Sequence, residues 1–213
     1  SVENESEMSY ALTFRKGEGE YYFLNQVKAT RVDKGMEPVE QTFSLYKQRG
    51  YAATEMKNML REGASVYKTF RKDGQTVGRW TRLDLTKIGE NKNHPVKSYY
   101  DNTTGFNLVR ELSKLPIINA SQEEKELLIK SLQSGDRASV SMKQSGQRER
   151  MYIEATPYLG RLTLYNAKME KVSLTNTNLQ VVQDEKMEQV VAGPNAKLVA
   201  AQPTETLPET TKQ

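Results

Sequence analysis

The sequence predicts an α+β fold built from two strand-helix-hairpin pseudo-repeats with antiparallel sheets, the second carrying an extra helix. Two spacings predict it. Leu60, Gly63, Gly74, Gln75 and Trp80 are followed 72 positions later by Leu132, Gly135, Gly146, Gln147 and Tyr152, so one helix end, glycine stop and hairpin turn occur twice. Gly50-Tyr51 and Leu60 likewise precede Gly105-Phe106 and Leu115 by 55 positions, and the growth of the offset leaves 17 residues for a helix of the second half alone. The expected units are a first repeat over 9–86, a second over 95–168 and a polar C-terminal tail over 169–213.

Residues 11–32 alternate apolar and polar positions on both sides of Lys16-Gly17-Glu18-Gly19, the pattern of a hairpin. A loop at 33–38 leads to a strand over 41–48 with Phe43 and Leu45 on one face. From Ala53, the residues Met56, Met59 and Leu60 recur at helical spacing, and Gly63 stands where a left-handed stop residue belongs. The next hairpin turns at Asp73-Gly74, a pair suited to a type I′ turn because both central positions need positive φ. That turn fixes the register. Phe70 faces Val77, Val66 faces Thr81 and Ala64 faces Leu83 on an apolar side, and Tyr67 faces Trp80 on the other. The polar, turn-rich segment 86–95 is the expected boundary between the halves.

The second half opens with a strand over 96–101. Ser121 and Glu124 form a capping-box pattern that starts a helix carrying Leu127, Leu128 and Leu132 and stopping at Gly135. A hairpin turning at Ser145-Gly146 puts Ala138, Val140, Met142, Met151 and Ile153 on one face, and Lys143, Arg148, Arg150 and Tyr152 on the other. Residues 160–166 read as a last strand. In the tail, Leu179, Val182, Met187 and Val190 share a helical face, so a docking helix is expected over 178–191, and 202–213 has a disordered composition.

With 36% hydrophobic and 27% charged residues, each half can bury a small core packed on the other. The sequence has no cysteine, which excludes disulfides, thiolate metal sites and thiol nucleophiles and suits a cytoplasmic location. No apolar run approaches the roughly 18 residues of a membrane span, and 1–10 is acidic and polar, unlike a signal peptide, so no membrane contact is expected. Removing the four bases and nine acids of 1–8 and 170–213 leaves 27 Lys and Arg against 18 Asp and Glu over 9–169, a net of +9. That balance suits a polyanionic partner, and it equally suits a solvated basic surface.

The chemistry-bearing residues do not assemble into a reaction. His94 is the single histidine and has no acidic company at metal-ligand spacing. Acids such as Glu123, Glu124 and Glu126 alternate with Lys125 on a helix, the pattern of a solvated face. Gly17-Glu18-Gly19 precedes a strand and lacks the lysine of a phosphate loop, and no serine sits in a nucleophile elbow. No enzyme activity, metal or cofactor is expected.

The outer faces of the two hairpins are the candidate site. Trp80 and Tyr152 occupy equivalent places there, with Tyr67, Arg71, Arg82, Lys143, Arg148 and Arg150 around them. Aromatic planes beside guanidinium groups stack bases and neutralise phosphates, so single-stranded DNA or RNA is the expected partner. The competing expectation is that these faces pack inside the protein and bury Trp80, as tryptophan usually is.

Three segments of the second half carry a resemblance: GFNLVRELSKLPI, KELLIKSLQSGDRASVSM and RMYIEATPYLGRLTLYNAKM, joined in the first half by FLNQVKAT and GASVYK. Together they resemble a family of bacterial domains of unknown function encoded largely on conjugative and other mobile elements of gut bacteroidetes. The likeness covers about residues 10–169. It implies a DNA-processing setting, since such domains sit beside topoisomerase, primase or relaxase-like proteins, and it brings no catalytic residues. The expected function is a non-catalytic accessory module binding nucleic acid or a DNA-processing nucleoprotein partner. The alternative is a protein-interaction scaffold without nucleic-acid contact. The sequence leaves the oligomeric state open.

Overall fold

The computed structural model describes residues 6–45, 50–89, 91–118, 121–144, 146–175 and 178–181. Three antiparallel sheets dominate it, with a few short helices between them, in keeping with an α+β class. The first sheet is β1 (Ser6–Lys16), β2 (Tyr22–Asp33) and β3 (Val39–Ser44) in that order. The turn around Gly17 and Gly19 closes the expected hairpin, and the part of the expected third strand beyond Leu45 lies outside the described residues.

α1 (Ala53–Met59) follows, its start held by the Glu55 carboxylate, which accepts from Ala52 N at 2.7 Å. It is stopped as expected near Gly63, where φ is +79°. The second sheet begins with the hairpin of β4 (Val66–Lys72) and β5 (Gln75–Leu83), whose register pairs Phe70 with Val77, Val66 with Thr81 and Tyr67 with Trp80. Asp73 and Gly74 both have positive φ, 51° and 77°, as a type I′ turn requires.

β6 (Val96–Tyr100) corrects the expected division of the chain. It does not open a separate second unit but pairs with β5 along Arg79–Leu83, completing the sheet β4-β5-β6. The connector expected as a boundary is therefore a loop between neighbouring strands. It docks on the first sheet: Thr42 N donates to Asn93 Oδ1 at 2.9 Å and His94 N to Gln41 Oε1 at 2.8 Å. The physical reason is proximity, since a short connection returns Val96–Tyr100 to the open edge of β5.

α2 (Asp101–Thr104) and α3 (Leu108–Ser113) lead to α4 (Gln122–Gln133), a helix where the Ser121 and Glu124 pattern places one. Its capping box forms as read: Ser121 Oγ accepts from Glu124 N at 3.2 Å and Glu124 Oε2 accepts from Ser121 N at 2.7 Å. Leu132 is fully buried and Leu128 partly so, but Leu127 faces solvent. The last sheet runs β11-β10-β9-β8-β7, from β7 (Ala138–Gln144), β8 (Gln147–Thr156), β9 (Arg161–Tyr165), β10 (Lys171–Thr175) and β11 (Asn178–Val181). β9 is thus not the last strand. Asn178–Val181, expected to begin a helix, pairs antiparallel with β10 as a strand, Thr175 opposite Asn178 and Val172 opposite Val181. The remainder of the expected helix, and 202–213, lie outside the described residues.

Alternation gives β4 and β5 apolar residues on both faces, and both are buried. On one side Val66 and Leu83 join Val27, Ala29, Phe43, Met56, Met59 and Leu60 in a core under the first sheet. On the other, Trp80 joins Phe106, Leu108, Leu132, Val140, Met151 and Ile153 in a core shared with the last sheet. The middle sheet is the layer between two hydrophobic cores.

Candidate nucleic-acid interface

The structure splits the eight candidate residues into two sets. In the second hairpin, β7 and β8 pair Lys143 with Arg148, Ser141 with Arg150 and Ser139 with Tyr152. These six side chains share one face because cross-strand partners point the same way. The opposite face, with Val140, Met142, Met151 and Ile153, is buried in the core. Lys143, Arg148 and Arg150 are therefore held outward and exposed, with Tyr152 half-buried at the base of the strip. Arg150 Nε donates to Ser139 Oγ at 2.9 Å, and its guanidinium lies 5.9 Å from the Tyr152 ring centroid. One aromatic plane beside the Arg150 guanidinium, with Arg148 and Lys143 further along the same face, is an arrangement able to take a phosphodiester and stack a base.

The first hairpin corrects the other half of the expectation. Trp80 is only 2% exposed, with Tyr67 at 5.1 Å and Phe106 at 5.6 Å between ring centroids. It is a core side chain and offers no stacking platform, because the expected outer face is covered by the second half. Tyr67 is held in place by a 2.6 Å hydrogen bond from its hydroxyl to Asp101 Oδ2. Both groups lie over Gly78, where a Cβ would collide with them, so only glycine fits there. Arg82 is partly buried, its guanidinium 4.4 Å from the Tyr158 ring centroid and its Nε donating to the Tyr99 hydroxyl at 3.3 Å. Of this set only Arg71, beside the hairpin tip, is exposed.

Burial first, then the Asp101 carboxylate, push the Tyr67 phenol up to about 12. An unfolded tyrosine ionises near 10, so the neutral hydroxyl stabilises the fold fully below about pH 10 and that contribution is lost as pH rises through about 12. Alkaline unfolding followed by circular dichroism should begin above pH 10, and Tyr67→Phe should be less sensitive over that window. An unchanged alkaline profile in the variant would remove Tyr67 from the account.

Sequence reading missed a buried charge cluster at the base of the same outer face. Glu154, 2% exposed, accepts from Arg61 Nη1 at 2.6 Å, Arg137 Nε at 3.0 Å and the Tyr165 hydroxyl at 2.8 Å. Burial lowers the Arg61 pKa, with Glu154 opposing that shift, and burial followed by the Glu154 charge raises that of Tyr165. Arg61 Nη2 also donates to Gly135 O at 2.7 Å, while Asn58 Nδ2 reaches Ser134 O and Asp136 Oδ1 at 2.8 and 2.7 Å. The cluster bolts the end of α1 to the end of α4. Its sequence signal was an acid inside an apolar strand, Met151 to Ala155, and two arginines just beside the glycine stops.

No family model, curated protein or solved structure matches this chain. Among the described residues, no group of three or more His, Asp or Glu side chains is placed to hold a metal ion. His94 Nδ1 instead sits 2.7 Å from Lys87 O. No helix among them is long and apolar enough to cross a membrane.

Proposed function

We propose that the chain is a non-catalytic accessory module that binds single-stranded nucleic acid through the outer face of its second hairpin. The observation that carries this is the strip of Lys143, Arg148 and Arg150 ending on Tyr152, turned outward by the β7–β8 register. The net charge of +9 over 9–169 supplies the wider field that attracts a polyanion. The resemblance to mobile-element domains supports a DNA-processing setting in the cytoplasm. The two strand-helix-hairpin halves are read as pseudo-repeats that diverged when the first hairpin turned its aromatic face into the core. Superposition of β4–β5 on β7–β8 with their preceding helices tests that descent.

Binding of labelled single-stranded DNA and RNA, followed by fluorescence anisotropy, tests the function. Three phosphate contacts give a log–log salt slope of about −2, hence a loss on the order of 20-fold between 50 and 200 mM salt. Replacing Lys143, Arg148 and Arg150 by glutamate should abolish binding without unfolding the protein, since all three are exposed. Absence of binding at low salt, or equal binding by the triple variant, would overturn the assignment. The second reading, a protein-interaction module, is favoured by a different surface, the apolar arm of β1 and β2.

A further inference from the structure

Among the described residues, β3 pairs with Gln26–Arg31 of β2, Leu45 N adds a 2.9 Å hydrogen bond to Asn25 O, and the hairpin of β1 and β2 projects beyond them. On β1 the side chains of Met8, Tyr10, Leu12 and Phe14 share a face, and the register places Arg31, Ala29, Val27 and Leu24 opposite them. Val27, Ala29 and the neighbouring Phe43 are buried in the first core. The same apolar face then runs out of the body into solvent, with Leu12 54%, Phe14 55% and Tyr22 64% exposed. The outer edge of β1 pairs with nothing among the described residues. By contrast, the outer edge of β3 is met by Asn93, and that of β7 by Pro116 and Ile118, through Lys143 N to Pro116 O and Ile118 N to Ser141 O. A long, apolar, open edge is a template for another strand.

The residues of β1 specify which strand. It is acidic at its start, Glu7, and basic at its end, Arg15 and Lys16. We infer that β1 pairs antiparallel with β1 of a second copy of this chain, about a two-fold axis at Ala11. That register sets Glu7 against Arg15, Met8 against Phe14 and Tyr10 against Leu12, and symmetry makes each pair occur twice. Every apolar side chain of the exposed face then meets an apolar one, and the exposed charges of Glu7 and Arg15 meet on the opposite face. Sliding by two residues spoils the match, putting Met8 opposite Lys16 in one direction and Phe14 opposite Ser6 in the other. The result is a continuous six-stranded sheet. In it the tip of one arm lies beside the base of the other, where Tyr10 Oη donates to Ala53 O at 3.0 Å at the start of α1 and Met8 packs on the first core. The apolar tip residues gain a surface to cover them.

This pairing is independent of nucleic-acid binding, because it uses the first sheet and leaves the β7–β8 strip untouched. Sedimentation velocity of the full chain, without nucleic acid, tests it. The expected result is a concentration-dependent dimer. Glu7→Arg and Arg15→Glu should each weaken dimerisation about tenfold or more, since each turns two attractive cross-strand pairs into two repulsive ones, and the double variant should restore the dimer. All three should keep the far-ultraviolet spectrum of the parent, and its melting point at dilutions where the parent is monomeric, because both positions are exposed. A parent chain that stays monomeric at high concentration overturns the inference. So does a dimer indifferent to the single reversals, or one that the double variant fails to restore.

Discussion

Replacement of Trp80 by alanine should destabilise the protein by about 3 to 5 kcal/mol, the range for deleting a large aromatic from a packed core. Trp80 is 2% exposed and wedged between Tyr67 and Phe106 on the face of β5 that looks into the second core. The space over the neighbouring Gly78 is already occupied by the Tyr67–Asp101 pair, so collapse into the cavity would be incomplete. For a chain of this length the loss corresponds to a fall in melting temperature on the order of 10 °C. Affinity for single-stranded nucleic acid should be unchanged, since the ring contributes nothing to the β7–β8 strip. Trp80 is the single tryptophan of the sequence. Its native fluorescence should therefore be blue-shifted and poorly quenched by iodide. A loss of stability below about 1 kcal/mol, or red-shifted and readily quenched emission, would contradict its burial.

Local chemistry was legible in the sequence and long-range allegiance was not. Asp73-Gly74 announced its turn because two adjacent positive φ values tolerate few residues, and the hairpin register followed by counting. Ser121 and Glu124 announced the start of α4 because each satisfies a donor of the other. Strand patterns carry less information when both faces are buried. Val66 and Phe70 on one side, and Tyr67 and Trp80 on the other, leave the sequence unable to say which face meets solvent. The notion of an outer face for the first hairpin failed on that ambiguity. The second hairpin escaped it because Lys143, Arg148 and Arg150 admit a single orientation. β6 was assigned to the wrong neighbour because a five-residue strand has no mark of its partner. In the tail, the spacing of Leu179 and Val182 fits a helix, while the pairing of Asn178–Val181 with β10 depends on an edge that the sequence does not display.

Removal of the Glu154 carboxylate should produce the other large effect. Its partners lie 93, 17 and 11 positions away along the chain, which is why no motif revealed them. Glu154→Ala removes the acceptor of Arg61 Nη1, Arg137 Nε and the Tyr165 hydroxyl and leaves two cations without their buried counter-charge. Breaking a buried pair in this way costs about 3 to 5 kcal/mol. Arg137 keeps some access to water, with 29% of its side chain exposed, so the loss should fall toward the lower end. Glu154→Gln retains volume and one acceptor oxygen but replaces the other with a donor aimed at a cation, and an intermediate loss is expected. Arg61→Met combined with Glu154→Met should cost less than the two single changes together, by about 0.5 to 3 kcal/mol, because the partners stand or fall as a pair. Urea denaturation of the four proteins reads this coupling. Because Arg61 also donates to Gly135 O, its loss should in addition loosen the ends of α1 and α4, visible as faster amide exchange at those termini. A Glu154→Ala variant within about 0.5 kcal/mol of the parent, the range of an ordinary surface change, would show that the cluster is not what joins the two halves.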